Sequence, residues 1–150
     1  MKKIITTVSI VALALTLRAQ HTEIELVRSA FKLEKKAKVA QFMQLSDSDA
    51  KKFWPIYNNY ENERSKLGDR KVKLIDQYTK VYTKLDKATA EKLWKESAAI
   101  QRSEASLREK YAGIIGKNIS PVVAINFYMV EDYIATAVKE ELYSSLPTTP

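Results

Sequence analysis

Between residues 53 and 85 a seam of side chains falls at Phe53, Tyr57, Tyr60, Arg64, Leu67, Lys71, Leu74, Tyr78, Val81 and Leu85, in alternating steps of four and three. A 3.5-residue period on a helix keeps one continuous seam pointing one way, which a strand of period two cannot do. The pattern returns in Ala90, Leu93, Ser97, Ile100, Glu104, Leu107, Tyr111 and Ile114. Two such seams with almost no linker between them predict a long antiparallel helical hairpin. Its first rod, from about Asp47 to Leu85, would be roughly 50 Å long at 1.5 Å per residue. The centre of that seam is polar, with Arg64 and Lys71 around Gly68, and its ends are aromatic or aliphatic.

Each rod begins on the same ten-residue pattern, forty positions apart. Residues 45–54 (LSDSDAKKFW) align with residues 85–94 (LDKATAEKLW), keeping the leading Leu, the Ala, a Lys, a large apolar residue and the Trp. A period of about forty residues is the size of one helical supersecondary unit. Ser46, with Asp49 three residues on, reads as an N-cap and capping box, and Asp86 as the cap of the next helix. The repeated segment is therefore a duplicated helix start, with buried packing roles expected for Trp54 and Trp94. Pro55 removes one hydrogen bond and crowds the carbonyl of Lys51, which predicts a kink or a break early in the first rod.

The flanks are helical too. From Ile24 to Leu45 apolar residues such as Ala30, Phe31, Ala37, Phe42 and Met43 recur at helical spacing, with Lys32, Lys35, Lys36 and Lys38 mostly on the wet side. Gly116, Lys117 and Asn118 end the hairpin, and Ser120-Pro121 begins a last helix as N-cap and first helical residue. That helix carries Val123, Phe127, Val130, Ile134, Val138 and Leu142 on one face. Three glycines in the whole chain and no alternating β-branched run make the fold class all-α: a hairpin with a basic N-terminal helix and a C-terminal helix packed on it.

Lys2 and Lys3 precede an apolar run from Ile4 to Leu17 that is short for a membrane span and ends near Ala19. Residues 1–19 thus read as a signal peptide, with an uncleaved anchor helix as the alternative. Residues 20–146 form one expected helical domain, and residues 147–150 a disordered tail. Export places the chain in the periplasm or outside the cell, with no stable membrane insertion after cleavage. It has no cysteine, so burial alone must stabilise it. Loss of Lys2, Lys3 and Arg18 lowers the formal charge from +7 to +4. Residues 20–117 hold 21 basic and 14 acidic side chains, whereas residues 118–150 hold one Lys against four acids. A basic body with an acidic C-terminal part suits packing of one on the other, or on a second subunit.

The chemical inventory is sparse. A single His21 and no cysteine remove most nucleophilic and metal-dependent mechanisms, and no Glu-x-x-His pair is present for a di-iron bundle. The glycines form no phosphate loop. Glu61 with Glu63, and Glu131 with Asp132, read as the ordinary polar face of helices. The expectation is a non-enzyme without cofactor or metal. Nucleic acid is not an expected partner of an exported chain whose bases are mostly Lys interleaved with acids.

Two helix starts of the Leu-Thr-x-x-Gln kind in an exported, cysteine-free helical protein resemble the Spy/CpxP family of periplasmic chaperones and envelope-stress sensors. Here they stand as Leu45-Ser46-Asp47-Ser48-Asp49 and Leu85-Asp86-Lys87-Ala88-Thr89, with the cap chemistry kept and the motif identity loosened. The stretch from Phe53 to Tyr60, residues 107–111 and Ile119-Ser120-Pro121 are similar to those of an uncharacterised group of secreted helical proteins from Bacteroidetes and other Gram-negative bacteria. The resemblance implies a curved hairpin, often dimeric, that shields unfolded envelope proteins without ATP or modulates a sensor kinase.

Tyrosines lie on or beside both seams, and the default reading of such residues is core with a wet hydroxyl. As a contact surface, the mixed basic and aromatic face formed by Tyr57, Tyr60, Arg64, Lys71, Tyr78 and Tyr82 is the candidate client-binding site. The expected function is an ATP-independent chaperone or envelope-stress modulator whose partners are unfolded or partly folded envelope proteins or a sensor protein, with a homodimer as one expected form. The alternatives are a regulatory adaptor docking on one folded partner, such as a sensor kinase or anti-sigma factor, and a structural secreted protein.

Overall fold

The computed structural model describes residues 32–144. The expected signal peptide, His21 and the C-terminal tail lie outside the described residues. Among those described the fold is all-α: four helices joined by short connections, with no strand. The chain divides into two compact units, one reaching Gln41 and one beginning at Phe42. Helix α1, residues 32–43, falls mostly in the first unit, where it buries Val39 and the Lys35 side chain and exposes Leu33. It ends where Gln44 takes a positive φ of 44°, a left-handed conformation that a helix cannot continue through.

The second unit holds three helices: α2 (Asp47–Val81), α3 (Lys87–Asn118) and α4 (Pro121–Ser144). A single 3₁₀ turn, Tyr82–Lys84, follows α2. The cap expected before each helix is present. Ser46 Oγ accepts from the Asp49 N–H at 3.2 Å, Asp86 accepts from the Thr89 N–H at 2.8 Å, and Ser120 Oγ accepts from the Val123 N–H at 3.2 Å. Each satisfies one of the N–H groups that a helix start leaves without a partner. Thr89 Oγ1 also donates to Asp86, so the second repeat is capped by backbone and side chain together.

α2 and α3 are antiparallel. Glu63 meets Lys110 and Tyr111, Arg70 meets Glu96, and Lys71 meets Glu104, so sequence numbers rise on one helix as they fall on the other. Across the bend after Asn118, α4 returns along α3. Gly116 lies against Ala124, where an added Cβ would stand 3.6 Å from the alanine methyl, and Arg108 pairs with Asp132. Ring contacts of Phe127 with Phe53 at 6.3 Å and with Tyr60 at 5.1 Å bring α4 beside α2 as well, running in the same direction. The core sits there: Phe53, Tyr57, Tyr60, Ile100, Leu107, Tyr111, Ile115, Val123, Phe127 and Val130 are all buried.

α2 continues as one α-helix through Pro55 and is not broken there; Pro55 and Lys51, whose carbonyl loses its hydrogen bond, are both exposed residues. The rod also stops being α-helical at Val81, one turn short of Leu85, because the chain tightens into the 3₁₀ turn before the Asp86 cap. Replacing the cap tests how much the second rod depends on it. Asp86→Ala should lower stability to urea by about 1 kcal/mol, and Asp86→Asn, which still accepts from Thr89, by much less.

Candidate functional site

α4 is 24 residues long and its hairpin arms are 35 and 32, so it covers only part of them. Burial follows its reach. On the α2 seam Phe53, Tyr57 and Tyr60 are buried, Arg64 to Val81 are half-buried, and Leu85 is exposed. On α3 the seam is buried at Ile100, Leu107 and Tyr111 but only half-buried at Ala90, Leu93 and Ser97. The far end of the hairpin therefore keeps the seam of a packed helix beyond the reach of α4.

What remains is an open groove of about 660 Å³ between the hairpin end and the second half of α4. Leu74, Ile75 and Tyr78 of α2 form one wall, Leu93, Trp94 and Ile100 of α3 another, and Ala135 and Thr136 of α4 the third. Trp94 is 60% exposed, although it was expected to be buried by analogy with its repeat partner. The two sites differ because Trp54 stacks edge-on against Phe53 and Tyr57 under the reach of α4, and Trp94 stands beyond it.

The inner end of the groove is charged and already paired. Lys71 Nζ lies 2.7 Å from Glu104, and Arg108 Nη1 lies 2.7 Å from Asp132 with its guanidinium over the Tyr128 ring at 5.4 Å. Arg108 Nε is buried without a hydrogen-bond partner among the described residues. Both carboxylates of the groove are thus held by cations. Such a lining can bury apolar side chains and orient a polar group at one end. Among the described residues no group of three His, Cys, Asp or Glu side chains could hold a metal ion, and no helix is long and apolar enough to cross a membrane.

The position of α4, and so the shape of the groove, depends on a buried charge. Glu131 is 2% exposed, where a polar helix face was expected. Its Oε1 accepts from the Tyr57 hydroxyl at 2.9 Å and its Oε2 from the Tyr60 hydroxyl at 2.8 Å. Burial, reinforced by the Glu131 carboxylate, pushes both phenols far above their ordinary range. Next to them Arg64 makes a two-pronged contact with Glu61 at 2.8 and 3.3 Å. Burial works against the charge of that guanidinium, but the bonds to Glu61 outweigh it and leave Arg64 more firmly protonated than usual. On the α3 side burial and the Glu63 carboxylate raise Tyr111 to about 12, while Lys110 and Tyr111 hold Glu63 below its usual range.

The six candidate contact residues are thereby separated. Tyr57 and Tyr60, at 2% and 4% exposure, are core residues whose hydroxyls face a carboxylate instead of water, so they offer no surface to a client. Arg64 is half-buried in its pair with Glu61. Lys71 and Tyr78 line the groove, and Tyr82 packs on Tyr78 at 6.3 Å. Sequence reading missed Trp94, Arg108 and Asp132 as groove residues. The one available signal was the length of the last helix, too short to cover both arms. No protein-family model, curated protein or solved structure matches the chain.

Two outcomes follow from the buried cluster. Glu131→Ala removes the acceptor of two buried hydroxyls and should cost about 3 kcal/mol or more in urea unfolding, with Glu131→Gln intermediate. The tyrosines give the pH dependence. Their folded-state pKa values lie above the ordinary 10.0, so the stability they contribute is complete below pH 10. It is lost as pH rises, because the unfolded chain ionises first. The urea midpoint should fall as pH rises from the ordinary phenol value of 10.0 towards the Tyr111 value of about 12, and less steeply in Tyr57→Phe, Tyr60→Phe and Tyr111→Phe variants than in the parent.

Proposed function

We propose that the chain is a non-enzymatic binding protein of the cell envelope that holds apolar segments of non-native or partly folded proteins without ATP. The observation that carries this reading is the open groove with Trp94 on its rim and Leu74, Ile75, Leu93 and Ile100 in its walls. Apolar surface of this kind, kept on the outside by the shortness of α4, is what an interaction site retains. The apolar segment behind Lys2 and Lys3 supports export, and residues 70–97, with eight basic and four acidic side chains, supply a basic rim. Long-range attraction from that rim would speed capture of acidic clients, and the walls would hold their apolar side chains.

A regulatory adaptor is the second reading, favoured by the fixed ion pairs Lys71–Glu104 and Arg108–Asp132 at the groove's inner end. Paired charges in set positions suit one defined ligand better than many.

Purified protein at several-fold molar excess should suppress light scattering by a chemically unfolded client. Trp94→Ser should weaken that binding by about 2 kcal/mol, roughly thirtyfold in affinity. In a Trp54→Phe background the remaining Trp94 should shift its emission to the blue as client binds. Absence of both suppression and shift would leave the chaperone form without support. A single dominant protein recovered from envelope extracts, lost in Trp94→Ser, would instead favour the adaptor.

A further inference from the structure

α4 carries a second apolar stripe, separate from its core face and from the groove. Val122, Ile125, Met129 and Tyr133 are 67%, 54%, 54% and 73% exposed. They follow one another in steps of three, four and four, so at 100° per residue they occupy one narrow strip of the helix. The core face, Val123, Phe127 and Val130, lies well over 90° round the helix from it. A helix apolar on two faces is the pattern of a buried helix, yet among the described residues of α4 this second strip stays exposed.

We infer that this stripe is a self-association surface on which two copies of the chain pair through antiparallel α4 helices. The spacing is self-complementary. Val122 and Tyr133 are placed about the same midpoint, near residue 127, as Ile125 and Met129. A two-fold axis there sets Val122 of each copy against Tyr133 of the other, and Ile125 against Met129, as an isologous interface requires. Charge selects the direction. Residues 118–150 hold four acids and one Lys, with Glu140 and Glu141 near the end of α4. Parallel pairing would gather those carboxylates at one end of the dimer. Antiparallel pairing separates them by roughly 40 Å and carries each past the positively polarised N-terminus of the partner helix. The same acidity disfavours a lipid surface as the occupant, since helices that lie on membranes carry Lys and Arg beside the apolar face. A strip of four side chains lies at the small end of specific interfaces, where pairing is weak, and a dissociation constant on the order of micromolar is the expected outcome.

The test uses the full chain, purified as the cell leaves it. Sedimentation equilibrium from about 1 to 200 μM, a range bracketing that dissociation constant, should show a monomer–dimer equilibrium. Met129→Glu, at an exposed site, should weaken it at least tenfold with the helical circular dichroism unchanged. Because the chain has no cysteine, introduced thiols read the geometry directly. A mixture of Val122→Cys and Tyr133→Cys chains should form a disulfide-linked heterodimer under mild oxidation. Each variant alone should not, since like positions stand about 16 Å or more apart in the antiparallel pair. A monomer throughout the range, a dimer indifferent to Met129→Glu, or ready linkage of Tyr133→Cys to itself each overturns the proposal. So does binding of the monomer to phosphatidylglycerol vesicles that Met129→Glu abolishes, which would assign the stripe to lipid. None of these outcomes bears on client binding at Trp94.

Discussion

A carboxylate buried between two tyrosines decides the shape of this protein. Glu131 stands on the last helix and Tyr57 and Tyr60 on the first arm of the hairpin, so their two hydrogen bonds span more than seventy residues of sequence. An apolar contact in that place would tolerate a slide of one turn along the rod. A carboxylate with both oxygens engaged does not, because any shift leaves a buried charge without its donors. Phe127, one turn before Glu131, packs on Phe53, Tyr57 and Tyr60 and adds the apolar energy that the charge itself cannot supply. Specificity of register comes from the polar group, and cohesion from the rings around it.

With that register set, the open groove follows from length alone. α4 begins beside the end of α3, with Ala124 near Gly116, and it has too few residues to reach the hairpin bend. The seam residues beyond it were built for burial and are left half-covered. Shortness of one helix thus converts a core pattern into an open groove, with no special residue needed to make it. Trp94 shows the conversion most plainly: it holds the same place in its repeat as Trp54, and the difference between them is what stands overhead.

Helix starts were the most legible part of the chain, because a cap is a local event: Ser46, Asp86 and Ser120 bond the N–H three residues on whatever the rest of the fold does. The seams were legible for the same reason, up to the end of α3. There Ile115 is buried in place of Ile114, since two successive steps of four, from Leu107 to Tyr111 to Ile115, follow the natural 3.6-residue turn and not the tighter supercoil. The break that Pro55 allowed does not occur, since a proline removes a single hydrogen bond from a helix that buried Phe53 and Tyr57 hold on either side of it, and that packing is a tertiary fact. Glu131 misled more seriously. Next to Asp132 it has every mark of a solvated pair, and the hydroxyls it meets on a distant helix are not visible in the local sequence. The groove was hidden in turn, as the seam pattern records that a face is apolar and not whether anything covers it.

The polar centre of the hairpin seam is explained by the same logic of register. Lys71 on α2 and Glu104 on α3 are both seam residues, and they face each other at 2.7 Å with about a quarter of each side chain exposed. An ion pair so placed adds little stability, because partial exposure screens it. Its effect is to penalise alternatives: moving one arm by a heptad would set Lys71 against Ser97 or Tyr111 and part it from Glu104. Arg70 with Glu96 and Lys110 with Glu63 repeat the constraint on the flanks. The hairpin is therefore held in one register by charges along its length, and its apolar seam is free to be left open at the far end without the arms sliding to close it.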